Sequence, residues 1–145
     1  MGITDTSNMG AAMAGAACDT LERHFEDTGR GVDYYDAVIT GDLGITGGDI
    51  LRELMGMDGL SLDARHFDCG GIIYDAESQG VCAGGSGCGC SASVLAGYVL
   101  DNLRSGVWKR VLFAATGALM SPTTSQQGES IPGICHAVSF EMERC

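Results

Sequence analysis

The stretch that decides the fold is residues 91–119, "SASVLAGYVLDNLRSGVWKRVLFAATGAL". Its first part predicts a helix that Ser91 caps and Gly106 ends, because apolar residues recur there at helical spacing. The predicted apolar stripe consists of Val94, Leu95, Tyr98, Val99 and Leu103. The apolar run at 108–119 predicts a strand that is buried on both faces. A helix that leads directly into a buried strand is typical of layered α/β folds.

The same kind of pattern continues on both sides of this stretch. We predict a helix over 8–25, a strand over 36–42, a helix over 43–57, connecting loops over 58–70 and 120–134, and a closing strand over 136–143. Asn8 is the predicted N-cap of the first helix, and Thr46 or Gly47 is the predicted start of the second. Residues 70–75 fit either a strand or a turn. Strands that alternate with helices predict a mixed β-sheet layered with helices, in one domain over 1–145.

Composition excludes several classes of function. The chain has 145 residues and a net charge of −11, from 8 basic and 19 acidic side chains. This balance argues against a nucleic-acid partner, which needs a basic face to neutralise phosphates, and against direct binding to anionic lipid. The sequence contains no apolar run long enough for a membrane span and no signal-peptide pattern at its N-terminus. A membrane location would therefore have to come through a partner.

The seven cysteines do not form a recognisable metal or redox motif. A structural zinc site needs four ligands, which usually come in closely spaced pairs, and only Cys88 and Cys90 are close neighbours. The Cys-x-x-Cys redox motif is absent. We therefore predict reduced thiols, no metal site, and a packing role for the cysteines at the start of the helix.

The loop "GGSGCGC" at 84–90 has two readings. It lacks the lysine of a phosphate-binding P-loop. However, a glycine-rich loop that leads into a helix presents backbone N–H groups and the positive end of the helix dipole to an anion. The first reading is thus a site for a carboxylate or phosphate, and the second is only a close turn at the start of a helix.

The histidines are less informative. We expect His24 to be solvated, His66 to lie in a charged loop, and His136 to open the last strand. Cys135 and His136 do not form a nucleophile–base pair, because adjacent residues of a strand point to opposite faces. The polar loop over 120–134 offers many neutral hydrogen-bonding groups, which suits a polar small molecule or a partner surface.

Four longer stretches resemble the C-terminal half of the stage V sporulation protein AD family. They are "NMGAAMAGAACDTLERHFEDTGR", "DAVITGDLGITGGDIL", "AGGSGCGCSASVLAGYVLDNLRSG" and "KRVLFAATGALMSPTTSQQGESIPGICHAVSFE". The resemblance implies a thiolase-like fold, in which two similar α/β halves stack into a five-layer sandwich. This chain would then be one half, a mixed sheet layered with helices, and we expect the N-terminal half to be absent.

The resemblance also implies a function in sporulation. The family binds dipicolinic acid and belongs to the transport machinery that loads it, as its calcium chelate, into the forespore. The implied partners are dipicolinic acid, other stage V sporulation A membrane proteins and a second copy of the chain. The implied location is the cytoplasmic side of the forespore inner membrane, reached through partners. Calcium is expected only as part of the ligand, and no other cofactor is implied.

A catalytic role is the main alternative. Ketoacyl synthase relatives carry a histidine at the turn occupied here by Gly41, Asp42 and Leu43, and an asparagine near the position of Ser86. Without these groups, and without a cysteine at the nucleophile position, the oxyanion of an acyl transfer has no matching donors. We therefore expect a non-catalytic binding subunit. The alternatives are an acyl-transferring or condensing enzyme and a purely structural docking subunit.

The chemistry of the expected ligand indicates which groups its binding site must contain. Dipicolinic acid is a flat dianion, so its pocket needs hydrogen-bond donors for two carboxylates and an apolar wall. The residues that the resemblance places on pocket loops are Asp42, Gly85, Ser86, Gly87, Ser91, Ser121 and His136. Among these, Asp42 suits the calcium chelate better than the bare dianion. We also expect the isolated half to self-associate, because it would expose the face that packs on its other half.

Overall fold

One four-stranded mixed sheet forms the centre of the molecule. The structure, a computed structural model, describes residues 2–142 except for the side chain of Asp63. The strands are β1 (Ala37–Thr40), β2 (His66–Asp68), β3 (Arg110–Ala118) and β4 (Gly133–Glu141). Their order in the sheet is β2–β1–β3–β4. β1 runs parallel to β2 and β3, and β4 pairs antiparallel to β3.

Helices cover both faces of this sheet. They are α1 (Met9–Thr28), α2 (Gly44–Met57), α3 (Cys69–Ile72), α4 (Ala76–Gln79), α5 (Cys90–Val94), α6 (Leu100–Arg104) and α7 (Pro122–Gln126). A π-helical turn, Leu95–Val99, joins α5 to α6, so residues 90–104 form one continuous helix. Short 3₁₀ turns lie at Val32–Tyr34 and Asp63–Arg65. No helix within residues 2–142 has both the length and the apolar character needed to cross a bilayer.

The side chains of the strands alternate between two hydrophobic cores, one on each face of the sheet. Val38 and Leu112 point to the face that α1 and α2 cover, whereas Ile39, Val111 and Phe113 point to the helix at 90–104. Successive side chains of a strand point to opposite faces, so central strands covered on both sides are apolar throughout. This three-layer arrangement confirms the predicted fold class, a mixed α/β half of a thiolase-like fold.

The π-helical turn changes which side chains of the long helix are buried. Val94, Val99 and Leu103 are buried, but Tyr98 is 48% exposed, so its predicted place in the apolar stripe is wrong. A π turn adds one residue to a helical turn and rotates the residues that follow it. The buried positions are therefore five residues apart at this point, and Val99 takes the place against the sheet that regular α-helical spacing assigns to Tyr98.

Several predicted boundaries were also wrong. The predicted loop over 58–70 contains β2, whose three residues are too few to show strand alternation. Residues 70–75, predicted as a strand or a turn, are partly covered by the short helix α3. The predicted loop over 120–134 contains α7 and the start of β4. The N-cap of α5 is Gly89, so Ser91 does not cap the long helix.

The N-terminus of α1 agrees with its prediction, and that of α2 does not. The Asn8 side chain accepts a hydrogen bond from the Ala11 N–H at 3.0 Å, as an N-cap does. α2 begins at Gly44 rather than at Thr46 or Gly47. Its first N–H groups are capped from another element, by the carboxylate of Asp68, which the local sequence does not reveal.

α1 and α2 approach each other closely at two glycines. A Cβ atom added to Gly47 would lie 2.8 Å from the Cα atom of Gly10 on α1 and 3.0 Å from its carbonyl carbon. Real Cβ atoms do not approach backbone atoms so closely, and backbone cannot move aside as a flexible side chain can. The two glycines thus set the distance between the helices that cover one face of the sheet.

Gly47→Ala is therefore expected to lower the free energy of unfolding by about 1–3 kcal/mol, because the helices must separate. Gly56→Ala is the matched control on the same helix, since nothing lies within 4 Å of a Cβ atom added there. The control is expected to stabilise the protein by about 0.5–1 kcal/mol through helix propensity. Urea unfolding of both variants measures the difference. Equal effects would show that the glycine contact does not limit the approach of the helices.

Candidate functional site

The carboxyl ends of β1 and β2 meet at a buried carboxylate, Asp68. It accepts hydrogen bonds from the Thr40 hydroxyl at 2.6 Å and from the backbone N–H groups of Leu43, Gly44 and Gly71 at 3.0, 2.7 and 3.1 Å. Burial raises the pKa of this carboxyl group, and the hydrogen bonds oppose that rise. Asp68 therefore fixes the start of α2 and of α3 relative to the sheet. Sequence analysis did not identify Asp68 as a structural residue, because it read β2 as part of a loop.

A chain of polar groups extends from Asp68 towards the surface. The ring of His66 contacts the Thr40 hydroxyl through Nε2 at 3.0 Å, and the Arg52 guanidinium donates to Nδ1 at 2.8 Å. Burial, followed by the charge of Arg52, lowers the pKa of His66 to about 4. Because Nδ1 accepts from Arg52, Nε2 carries the proton and donates to Thr40. The expectation that His66 lies in a charged loop was wrong, since its ring is buried on β2.

The expectation for His24 was also wrong. Its Nε2 atom lies 2.6 Å from the hydroxyl of Tyr35, and the side chain is half-buried on α1 rather than solvated. Burial, and to a smaller extent the positive charge of Arg30, lowers the pKa of His24. His24 therefore belongs to the packing of α1 on the segment before β1.

A second carboxylate, Asp42, ties the glycine-rich loop to the sheet. One oxygen accepts from the Ser86 hydroxyl at 2.9 Å and from the Gly87 N–H at 3.0 Å. The other oxygen accepts from the Thr116 hydroxyl at 3.0 Å. The backbone N–H of Asp42 in turn donates to the Thr116 hydroxyl oxygen at 2.9 Å. Asp42 thus joins the ends of β1 and β3 to the loop before α5.

Close backbone packing holds the other end of the same loop. The Ile45 N–H donates to the Ala83 carbonyl at 2.9 Å, and the Gly85 N–H donates to the Gly70 carbonyl at 2.7 Å. Gly44 has a φ of +68°, and a Cβ atom there would collide with the Ala83 carbonyl oxygen. Only glycine satisfies both conditions without strain. The loop is therefore fixed against the starts of α2 and α3.

Two adjoining cavities lie around Asp42. They have volumes of about 390 and 490 Å³ and share Met9, Asp42 and Ser86. The first also contacts Asp5 and the start of α2, and the second contacts Ser91, Cys88 and the end of β3. None of the described lining residues is Lys, Arg or His. Hydrogen bonding to a ligand would therefore come from hydroxyl and backbone N–H groups.

Some of these groups have no partner within the described part of the chain. The Ser91 hydroxyl makes no hydrogen bond within residues 2–142, and neither do the backbone N–H groups of Ser86 and Cys88. The Ser86 hydroxyl and the Gly87 N–H, by contrast, are already used by Asp42. The cavities thus retain neutral donors on the loop and at the start of the long helix.

The structure brings together five of the seven predicted site residues. Asp42, Gly85 and Ser86 line the first cavity, and Asp42, Ser86, Gly87 and Ser91 line the second. Ser121 and His136 line neither. Ser121 stands at the N-cap position of α7. His136 is exposed on β4, where it pairs with Ala115, a residue that lines the second cavity.

Sequence analysis missed Thr116 and Cys88 as lining residues of the second cavity. Thr116 is the polar residue at the end of the apolar run, which is where ligands meet parallel strands, and that position was a usable signal. Cys88 is an exposed thiol, whereas Cys90 behind it is buried. Burial, and to a smaller extent the negative charge of Asp42, raises the pKa of the Cys90 thiol. A thiol in such surroundings is a poor nucleophile.

Comparison with known proteins identifies similar sequences. The family model for stage V sporulation protein AD matches residues 1–141. The chain is similar to "Stage V sporulation protein AD" of Bacillus subtilis (strain 168), with 49% identity over 141 residues. The alignment covers 97% of this chain but 41% of that relative. The chain therefore spans less than half the length of the curated relative that it matches.

Proposed function

This chain belongs to the stage V sporulation protein AD family, and on that premise we propose that it binds dipicolinic acid, as the calcium chelate, without catalysing a reaction. The observation that carries the proposal is the pair of cavities that meet at Asp42 and Ser86. They lie at the carboxyl ends of parallel strands, where open α/β sheets bind their ligands. Their volumes, about 390 and 490 Å³, suit a small flat molecule.

The charge of the site favours the chelate over the free acid. Asp5 and Asp42 are the two acidic residues among the described lining of the first cavity, and no basic residue accompanies them. A bare dianion would therefore meet like charge in a partly desolvated site. Calcium dipicolinate is neutral, and its calcium ion retains coordination positions for further oxygen atoms. Asp5 is the side chain best placed to supply one, since Ser7 occupies only its Oδ1, whereas donors within the protein occupy both oxygens of Asp42.

The free donors would orient the ligand. The Ser91 hydroxyl and the backbone N–H groups of Ser86 and Cys88 are unpaired within residues 2–142, and all three residues lie on the loop or the first turn of the helix. Carboxylate oxygens accept hydrogen bonds from such groups at the positive end of a helix. Met9 and Met13, which line the second cavity, offer an apolar contact for the ring.

In this proposal the chain acts in the transport machinery that loads the forespore. It would lie on the cytoplasmic side of the forespore inner membrane, held there by other stage V sporulation A membrane proteins. Exposed apolar side chains on and beside β4 support a protein partner or a second copy at that face: Leu119, Met120, Ile134, Val138 and Met142. A purely structural docking subunit is the outcome of the test below if no ligand binds.

Calorimetric titration tests the proposal. Calcium dipicolinate is expected to bind this chain saturably, more tightly than sodium dipicolinate, and calcium alone is expected to bind weakly. Isophthalate is the matched control ligand, because it has the same two carboxylates but no ring nitrogen with which to chelate calcium. Equal heats for isophthalate and dipicolinate in the presence of calcium would contradict the proposal. Absence of binding to folded protein would favour the docking role.

A pair of serine variants locates the site. Ser91→Ala removes the unpaired hydroxyl at the second cavity and is expected to weaken binding by about 0.5–1.5 kcal/mol, the net contribution of one hydrogen bond. Ser93→Ala is the control two residues along the same helix, where the side chain lines a different cavity with Ile72 and Tyr98. Calorimetry on both variants should show weaker binding for the first alone. Equal losses would place the ligand elsewhere.

A further inference from the structure

Three side chains with metal-binding atoms converge on the side of the molecule away from the glycine-rich loop. Cys18 and Glu22 lie one turn apart on α1, and Asp58 is the residue that follows α2. The sulfur of Cys18 and one carboxylate oxygen of each acidic residue all lie within 4.8 Å of one another. Tetrahedral bonds of about 2.0–2.3 Å place ligand atoms roughly 3.3–3.8 Å apart, so a small movement of these side chains would bring all three to one ion.

From this convergence we propose that Cys18, Glu22 and Asp58 bind a Zn²⁺ ion at the junction of α1 with the end of α2. One thiolate and two carboxylates make a three-ligand set, which leaves a fourth tetrahedral position for water. A cavity of about 590 Å³ lies beside the cluster and is lined by Glu22, Glu26 and Asp58, so water can reach that position. Glu26 is one further turn along α1 and offers a second carboxylate at the same opening.

The donor types favour Zn²⁺ over calcium or magnesium. A thiolate is a soft ligand that calcium and magnesium do not select, whereas zinc accepts sulfur and carboxylate oxygen together. The thioether of Met55 lies 3.6 Å from the Cys18 sulfur, so a second soft atom borders the cluster. Two different helices supply the sulfur atoms, and each is buried. The site therefore combines a buried soft end with a solvent-facing carboxylate end.

Within residues 2–142 no basic side chain neutralises the carboxylates of the cluster, although the Cys18 thiol donates a hydrogen bond to Glu22 Oε1 at 3.3 Å. None of the ion pairs within residues 2–142 involves Glu22, Glu26 or Asp58. The nearest basic residue in sequence, Arg23, pairs with Asp19 instead. Burial, followed by the neighbouring Glu22, raises the pKa of Cys18 to about 12, and burial also raises the pKa of Glu22. Zn²⁺ binding would therefore release the proton of the Cys18 thiol.

The arrangement differs from the zinc motifs that sequence analysis excluded. Those motifs place cysteines in close pairs along the chain, whereas here only Cys18 and Glu22 are close in sequence and Asp58 comes from the next helix. The usable signal was a cysteine and a glutamate four residues apart, which lie on the same face of a helix. The third ligand becomes visible only when α1 packs on α2.

Cobalt absorption tests the proposal, because Co²⁺ replaces Zn²⁺ in such sites and reports a bound thiolate through a near-ultraviolet charge-transfer band. Titration of the reduced, metal-free chain with Co²⁺ is expected to give this band with one equivalent, and Zn²⁺ is expected to abolish it. Cys18→Ser should remove the band. Asp58→Asn changes an exposed residue and should weaken Co²⁺ binding at least tenfold, since even outer partners of a metal contribute about that much.

The exposed thiols at Cys82 and Cys88 provide the control. The double variant Cys82→Ser, Cys88→Ser is expected to keep the full band, because neither residue belongs to the cluster of Cys18, Glu22 and Asp58. A band that persists in folded Cys18→Ser overturns the proposal, and its loss in the double variant would assign it to the exposed thiols instead. No band in the folded chain overturns it as well. If Cys18→Ser does not fold, as judged by circular dichroism, Asp58→Asn decides: unchanged Co²⁺ affinity overturns the site.

Discussion

Asp68→Ala is expected to lower the free energy of unfolding by about 3–5 kcal/mol, the largest effect of any single substitution considered for this chain. The change leaves the N–H groups of Leu43, Gly44 and Gly71 without their acceptor, as well as the Thr40 hydroxyl. Each buried donor left unpaired contributes about 1–3 kcal/mol, and water that enters the new cavity recovers part of the loss. Urea unfolding followed by circular dichroism measures the difference.

Asp75→Ala is the matched control for that experiment. Asp75 accepts hydrogen bonds from the N–H groups of Glu77 and Ser78 at the start of α4, but those groups are exposed. Removing an exposed N-cap is expected to lower stability by about 1 kcal/mol. A loss at Asp68 no larger than the loss at Asp75 would show that the buried carboxylate does not organise the starts of α2 and α3. Failure of Asp68→Ala to fold would agree with the prediction.

Acidification is expected to destabilise the protein through His66 by about 3 kcal/mol as the pH falls from about 6.5 to about 4. The folded protein holds the pKa of this ring at about 4, against 6.5 in the unfolded chain. Between those values the unfolded state binds the extra proton and the folded state does not, so stability rises with pH. The contribution is therefore fully present above pH 6.5 and is lost as the pH falls through the folded pKa.

The variant His66→Gln separates the effect of His66 from the effects of the charged and titratable groups around it. Arg52, Asp49 and Thr40 surround position 66 in both proteins, and the raised pKa of Asp68 acts in the opposite direction in both. Urea midpoints measured from pH 7.5 to pH 4 should fall more steeply for the original chain than for the variant. Parallel pH profiles would contradict the assignment. The glutamine retains a polar group for Thr40, so loss of the ring need not prevent folding.

Most of the framework could be predicted because it depends on local patterns. The helix at 90–104, β3 and the helix capped by Asn8 each carry a strong periodic or capping signal, and the structure has all three. Strand β2 carried no such signal, because three residues cannot display alternation and its flanks look like a loop. The error had a consequence, since His66 and Asp68 both lie on that strand and were read as loop residues.

The candidate site, too, could be predicted only where local sequence patterns mark it. The loop at 84–90 and the start of the following helix drew attention through their glycines, and the two cavities include five of the predicted residues. Thr116 is 74 positions from Asp42, yet their side chains are in contact. Only the parallel pairing of β1 with β3 brings those two residues to the same edge of the sheet. The predicted roles of Ser121 and His136 stay untested, although neither residue lines a cavity.

By itself, the sequence determined the class of fold, the family resemblance and the acidic net charge, because hydrophobic period, turn residues and charge are properties of the chain alone. The tertiary structure decided which distant residues share an environment. It placed Asp68 under the starts of two helices, brought Asp42 to Thr116 and Ser86, and brought Asp58 to Cys18 and Glu22. Hydrogen bonds and metal ligation depend on atoms within a few ångströms, and such distances arise only when the elements pack.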